Sequence, residues 1–356
     1  MIPYRPNECL FGTIRLKDAE GLIRLQKRDG LRKRRMTIAT DSNKPRPSFF
    51  LVGQMKCGTT ALYEMLGQHP DIFMSTPKEP QYFAMDLRAR FQHGGPLPTN
   101  LEQYLNLFVD AKAGQRCGDA SALYLNSTVA ARKIAAFDPA ARIVAVVREP
   151  TALIRSLHLQ MIQDHNEVEK DLRKALELEP LRRKGKRIPK SAYRPQQLFY
   201  SDHVRYVDLL ARFHDAFPSD QVLILIYDDF KMDNASTVRQ VLRFLGLQDN
   251  VMVEPTEANP SVMVRSHGTQ KLLHAVSTGH NGTTRLLQRT IKRVTQASIR
   301  TQALQRAYDS TYAKPPPEDR KLTAELRQRF APEVARLSEC LGRDLVSLWG
   351  YDEQTI

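Results

Sequence analysis

The sequence has few cysteines, no long apolar run and no metal-ligand cluster, and each shortage removes a class of protein. Cys9, Cys57, Cys117 and Cys340 lie far apart, without zinc-type spacing or the paired framework of a small secreted domain. A reducing cytoplasm is the expected compartment. No apolar stretch approaches the roughly 20 residues of a membrane span. The opening Met-Ile-Pro-Tyr-Arg-Pro-Asn-Glu has no apolar core of the kind a signal peptide needs. No internal repeat is visible. What remains, 356 residues with 42% apolar and 26% charged side chains, is a globular chain long enough to bury a large core.

Negative charge is also scarce. The net charge is +14, and the excess is concentrated. The first 47 residues include Arg32-Lys-Arg-Arg35, and residues 261–308 carry Arg265, Lys271, Arg285, Arg289, Lys292, Arg293, Arg300 and Arg306 without one acid. Such segments attract polyanions, anionic lipids or an anionic acceptor, or simply form a solvated helix face. Aromatics are not interleaved with the basic runs and no nucleic-acid motif is present, which argues against a nucleic-acid partner. We divide the chain into a basic arm (1–46), an α/β core (47–260) and a basic helical C-terminal extension (261–356) packed on the same domain.

The core opens on Pro47-Ser-Phe-Phe-Leu-Val-Gly-Gln-Met-Lys-Cys-Gly-Thr-Thr60. Phe49–Val52 is an apolar run without alternation, the mark of a strand buried on both faces. Gly53 and Gly58 bracket a loop, Thr59 and Thr60 offer cap hydroxyls, and a helical pattern follows. A strand, glycine loop and helix in that order make an anion cradle of free N–H groups and helix dipole. Lys56 adds a point charge. The triphosphate pattern Gly-x-x-x-x-Gly-Lys-Ser/Thr is not met, because the lysine precedes Gly58 by two positions.

Further on, Pro77-Lys-Glu-Pro80 reads as a rigid extended mount that aims Glu79 towards this loop. Cys57, at a helix N-terminus, has the setting that lowers a thiol pKa, although it reads as a small loop residue. Residues 88–106, with Gly94-Gly-Pro96, read as a lip over the cleft. Arg142-Ile-Val-Ala-Val-Val147 is a second buried strand, with Arg148 at its end and Ser156 on the helix behind Pro150. Gln221–Tyr227 is a third. Arg148 and Ser156 are placed to converge on a second phosphate. Among the histidines, His69 reads as a turn former, His158 as a packed helix residue and His93 as a solvated loop residue.

Taken in order, Gly53-Gln-Met-Lys-Cys-Gly-Thr-Thr60, Lys78-Glu-Pro-Gln-Tyr-Phe83, and Arg142–Pro150 followed by Arg155-Ser156 resemble the sulfotransferases that use 3′-phosphoadenosine-5′-phosphosulfate (PAPS). The likeness spans roughly residues 48–247. It implies a three-layer α/β fold with a central parallel sheet and a nucleotide-phosphate loop of the nucleoside-kinase type. It also implies that Lys56, Cys57, Gly58, Thr59 and Thr60 surround the 5′-phosphosulfate, and that Arg148 and Ser156 hold the 3′-phosphate. Lys56 and Glu79 are then the catalytic residues, with Glu79 the base, as in glycosaminoglycan and bacterial members. The histidine base of the aryl and steroid enzymes has no counterpart between Gln115 and Ser121. A lysine that heparan-type members carry is replaced by Ala120, so the acceptor half transfers poorly. The expected reaction moves a sulfuryl group from PAPS to a hydroxyl of a carbohydrate, lipid or other small metabolite. It leaves 3′-phosphoadenosine-5′-phosphate (PAP) and needs no metal. A basic C-terminal segment suits an anionic acceptor or a membrane surface. A small-molecule kinase of related fold and a basic nucleic-acid-binding protein are the competing readings.

Overall fold

The structure, a computed structural model, describes residues 45–89, 97–250, 254, 263–264, 312–313 and 317–352. His93, Arg265, the arm up to residue 44 and most of the 261–308 run lie outside the described residues.

Five parallel strands form the central sheet in the order β2-β3-β1-β4-β5. They are β1 (Pro47–Gly53), β2 (Ile72–Met74), β3 (Arg116–Ala120), β4 (Arg142–Val147) and β5 (Val222–Ile226). The three apolar runs became β1, β4 and β5, since a parallel sheet covered on both faces needs apolar side chains on both. Phe50 is in register with Asp119 on one side and Ile143 on the other. Connections from β1 run towards β2 and β3, whereas β4 leads to β5 on the opposite side. The chain therefore reverses between β1 and β4, and loops leaving their carboxyl ends bound a crevice.

Three elements depart from the sequence expectations. First, β3 is a strand despite Gly118 and Asp119. An added Cβ at Gly118 would lie 2.2 Å from Phe49 Cζ and 2.7 Å from Met74 Sδ, so only glycine fits between these side chains. Second, residues 97–106 are not a lip. Helix α2 (Leu101–Leu105) buries Tyr104, whose ring stacks on Tyr82 at 4.6 Å and meets Phe83 edge-on. Third, the apolar-periodic stretch from Tyr200 to Phe217, which reads as one amphipathic helix, is divided. Residues Tyr200–Val204 form a 3-10 turn, and the helix runs over Tyr206–His214.

Helix α1 (Thr59–Leu66) follows β1, α3 (Ala130–Phe137) precedes β4, and α4 (Pro150–Gln163) follows it. Proline in the first turn and a capping Glu149, which accepts from the N–H groups of Thr151 and Ala152, start α4. The 165–195 stretch holds two short helices, α5 (Leu172–Glu177) and α6 (Glu179–Arg183), and Tyr206–His214 is α7. Helices α8 (Tyr227–Met232) and α9 (Asn234–Phe244) cover the end of β5.

The described part of the C-terminal extension packs on this core. Helix α10 (Arg320–Leu341) lays Leu322, Leu326, Phe330, Val334 and Leu337 against α4 and α7. This spacing of three and four residues is a single helix face. After α11 (Leu345–Leu348), Trp349 Nε1 donates to Asp228 at 2.9 Å and Tyr351 donates to Glu149 at 2.6 Å. No helix among the described residues is long and apolar enough to cross a membrane.

Gly118→Ala should destabilise the fold by about 1–3 kcal/mol through overpacking. Urea unfolding measures this, and a midpoint equal to the parent's would refute the packing at Phe49.

Candidate active site

The loop after β1 is held from two sides. Gln54 is fully buried; its N–H donates to Val146 O at 2.8 Å and its amide to His203 O at 2.9 Å. Its Oε1 accepts from Met55 N at 2.8 Å. These contacts bind the loop to β4 and to the 3-10 turn beside it. Lys56 adopts a left-handed conformation (φ 64°), and so does Gly58 (φ 78°). A Cβ at Gly58 would lie 3.0 Å from the Phe230 ring and 3.1 Å from that of Tyr227. Gly58 is the N-cap of α1, without a side-chain cap bond, so Thr59 and Thr60 are first-turn residues rather than the expected caps. The first intrahelical bond, Leu62 N to Gly58 O at 3.0 Å, leaves the N–H groups of residues 59–61 without helical partners.

Lys56, Gly58, Thr59, Thr60, Glu79, Arg148 and Ser156 all line one cleft of about 740 Å³. Cys57 does not. Its side chain is fully buried, its N–H donates to Gln54 O at 3.3 Å, and burial pushes the thiol up to about 12. Desolvation thus outweighs the helix N-terminus that was expected to lower it.

Lys56 Nζ donates to Gln160 Oε1 at 2.9 Å, and the Gln160 amide donates to Asp164 at 2.9 Å. Burial holds the Lys56 ammonium below its ordinary range, Asp164 opposes this, and Arg148 adds to it. An anion in the cleft would favour the charged form. Arg148 Nη1 donates to the Lys56 carbonyl at 2.9 Å, and its guanidinium lies 4.6 Å from the Tyr227 ring centroid. The two anion positions expected from sequence are therefore contiguous, because the reversal between β1 and β4 puts their loops side by side.

Glu79 is mounted differently from expectation. Its backbone is left-handed (φ 62°), not extended, and so is that of Gln81 (φ 54°). Glu79 N donates to Ala120 O at 3.2 Å, and the carboxylate lies between Lys78 Nζ (3.1 Å) and the Gln81 amide (3.2 Å). Gln81 N in turn donates to Ser121 Oγ at 2.9 Å, and Ser121 donates to Asp119 at 2.7 Å. Asp119 is 0% exposed and also accepts from Tyr104 and Tyr124 at 2.7 Å each. Burial pushes its carboxyl up to about 6; the three hydroxyls pull it back, and the Glu79 charge adds a smaller upward push.

Sequence reasoning assigned no role to Gln81, Asp119, Ser121, Gln160, Asp164, Tyr193 or Arg194. An aspartate in mid-strand beside a glycine was the one local signal. The rest carry no motif. His158, by contrast, is packed as expected: it is buried, 2.8 Å from Glu169 O and edge-on to Tyr200. His69 shapes its turn by accepting from Asp71 N at 3.1 Å. No three His, Cys, Asp or Glu side chains are grouped to hold a metal among the described residues.

The fold and the loop define an α/β protein with a phosphate-loop turn at the carboxyl end of its central strand. Within that class the chain belongs to the sulfotransferase domain family, which it matches over residues 46–263. It is 25% identical over 217 residues to mouse (Mus musculus) bifunctional heparan sulfate N-deacetylase/N-sulfotransferase 1, covering 60% of this chain and 23% of that protein. It is 30% identical over 153 residues to human (Homo sapiens) carbohydrate sulfotransferase 15, covering 32% of this chain and 27% of that one. The chain thus spans under a third of either relative. A sulfotransferase structure from Alicyclobacillus acidocaldarius superposes with a TM-score of 0.62 at 23% identity, over 86% of this chain and 99% of that one. The expected parallel α/β fold is thereby borne out.

Asp119 yields a pH test. Its folded pKa of about 6 lies above the ordinary 3.8. The folded state therefore binds the proton more tightly, and this group's contribution to stability falls as pH rises from about 4 to 6. Unfolding free energies of Asp119→Asn and the parent, compared at pH 4.5 and pH 7, should shift in the variant's favour at the higher pH. A difference independent of pH would refute the raised pKa.

Proposed function

We propose that this sulfotransferase-family chain moves a sulfuryl group from PAPS to an acceptor hydroxyl by in-line displacement. The observation that carries the reading is that Lys56 and Glu79, from two different loops, open onto one cleft that Arg148 and the free N–H groups of α1 also face. Donors of this kind suit a nucleotide with oxyanions at both ends. Lys56, Gly58, Thr59 and Thr60 would hold the 5′-phosphosulfate, with Arg148 and Ser156 on the 3′-phosphate.

The acceptor oxygen attacks sulfur as the bond from sulfur to the 5′-phosphate oxygen breaks. The hydroxyl proton passes to Glu79, and the electron pair leaves with PAP. As in phosphoryl transfer, the protein's work is positioning and charge stabilisation. Lys56, oriented by Gln160, meets charge developing on the bridging oxygen. Glu79, held by Lys78 and by Gln81, which the Asp119–Ser121 chain anchors in turn, is the group placed to take the proton.

Lys56→Ala should lower turnover by about 10²–10³-fold, as the removal of one transition-state donor does elsewhere. Glu79→Gln should lower it by roughly 10²–10⁴-fold while PAP still binds. Arg148→Ala should weaken PAP binding by about 10-fold or more, the equivalent of one charged hydrogen bond. Transfer of label from PAPS to a panel of hydroxyl and amine acceptors, with calorimetry for PAP, reads all three. Full turnover by Glu79→Gln would remove it as base. Stabilisation by ATP and magnesium but not by PAP would favour the kinase reading instead.

A further inference from the structure

A second cavity, of about 370 Å³, adjoins the cleft and shares Leu123, Arg194 and Gln197 with it. Its charges are unevenly paired. Asp202 accepts both ends of the Arg183 fork at 2.8 Å, and Asp208 pairs with Arg205 at 2.6 Å and Arg336 at 3.2 Å. Asp86 accepts from Ser127 Oγ at 2.6 Å and from the N–H and hydroxyl of Thr128 at 2.7 and 2.8 Å. All three acids are thus engaged.

Two lining cations are not matched in this way. Arg194 and Arg212 form no ion pair among the described residues. Arg194 is 9% exposed and donates to Leu87 O at 3.1 Å and Gln81 Oε1 at 2.5 Å. Arg212 reaches the carbonyls of Asn126 and Ser127 at 3.3 and 3.4 Å. Arg194 also hydrogen-bonds Tyr193, and both Arg212 contacts leave from one Nη1, so each guanidinium keeps N–H groups for a ligand. His203, 3% exposed, lines the same cavity, and its Nδ1 has no hydrogen-bond partner. Glu79 and Asp164 act on Arg194 from the neighbouring cleft, but this cavity's own lining carries four arginines against three aspartates, so its surplus charge is positive and favours an anion.

We infer that this cavity binds an anionic oxyacid group, of carboxylate or sulfate type, on the acceptor whose hydroxyl is presented to Glu79, with Arg194 and Arg212 as its ligands. The inference rests on the transfer reading above and adds the acceptor's chemistry to it. Connectivity supports it. Arg194 donates to Gln81, and Gln81 donates to Glu79, so the shared guanidinium lies two hydrogen bonds from the base. One molecule spanning both cavities would place its anion at one side of Gln81 and its reacting oxygen at the other. The planar guanidinium fork matches two oxyanion oxygens, and neither Lys56 nor Arg148 lines this cavity.

The test titrates the full chain, saturated with PAP so that the nucleotide cleft is filled, by calorimetry. The probes are 4-hydroxybenzoate, 4-hydroxybenzenesulfonate and the neutral 4-hydroxybenzamide. At least one anion should bind 10-fold or more tightly than the amide, and the tighter of the two identifies the oxyacid. Arg212→Gln should erase the preference. Arg212→Lys, which keeps the charge and loses the fork, should reduce it, and serves if the glutamine variant does not fold. Equal or undetectable binding of all three probes overturns the inference, as does a preference that survives both Arg212→Gln and Arg194→Lys. Failure of the parent to bind PAP overturns the transfer reading itself, and the inference falls with it.

Discussion

The Asp119 carboxylate, buried near the carboxyl end of β3, is the contact on which the base side of the cleft depends. It is fully buried and accepts from three hydroxyls, those of Tyr104, Tyr124 and Ser121. Each bond ties a separate stretch of chain to β3. Tyr104 brings in α2, Tyr124 the segment that leads to α3, and Ser121 the loop that carries Gln81 and Glu79. A charge buried this deeply is tolerated only when its lone pairs are met, so the network is strongly selective for one arrangement. Gly53 adds a steric condition: a Cβ there would lie 2.8 Å from both Ala122 O and Leu125 Cβ. The phosphate loop and the Glu79 mount therefore meet because the backbones after β1 and β3 approach more closely than any side chain allows.

On the other side of the cleft, the reversal of connections between β1 and β4 does the equivalent work. It sets Arg148 against the Lys56 carbonyl and Gln54 against Val146. Lys56 is then steered by Gln160 from α4, whose start is fixed by Glu149 and Pro150. The C-terminal stretch closes this side, since Tyr351 binds the same Glu149 and Trp349 binds Asp228 beyond β5. Desolvation sets the chemical character throughout. It holds the Lys56 ammonium down, pushes the Cys57 thiol up to about 12, and lowers His203 to about 4. At neutral pH, Cys57 and His203 are therefore uncharged, and the cations facing the cleft are lysine and arginine.

Much of the frame was legible before any coordinates. The runs at Phe49–Val52, Arg142–Val147 and Gln221–Tyr227 announce β1, β4 and β5, because a doubly covered parallel strand tolerates little but apolar residues. β3 escaped, since its five residues include a glycine and an aspartate whose fit depends on Phe49, Met74 and the hydroxyls of Tyr104 and Tyr124. The proline-bracketed Glu79 suggested extended backbone, yet its left-handed turn is stabilised by the bond to Ala120 O, some forty positions away. At Cys57 only the direction of the thiol's pKa eluded the local reading, because the dipole of α1 is a local feature, whereas the burial that outweighs it is not.

The sequence by itself therefore determined the local chemistry. It set a strand, a glycine loop and a lysine before a helix, an arginine at the end of a buried strand, and a glutamate between two prolines. These follow from spacing, φ/ψ preference and apolar periodicity, all of which act within a few residues. Only the tertiary structure decided which side chains share a solvent-poor space. Lys56 meets Gln160 across 104 positions, and Arg194 meets Gln81 across 113. Neither pairing has a local signal, because desolvation and partner choice depend on what the rest of the chain packs around a group.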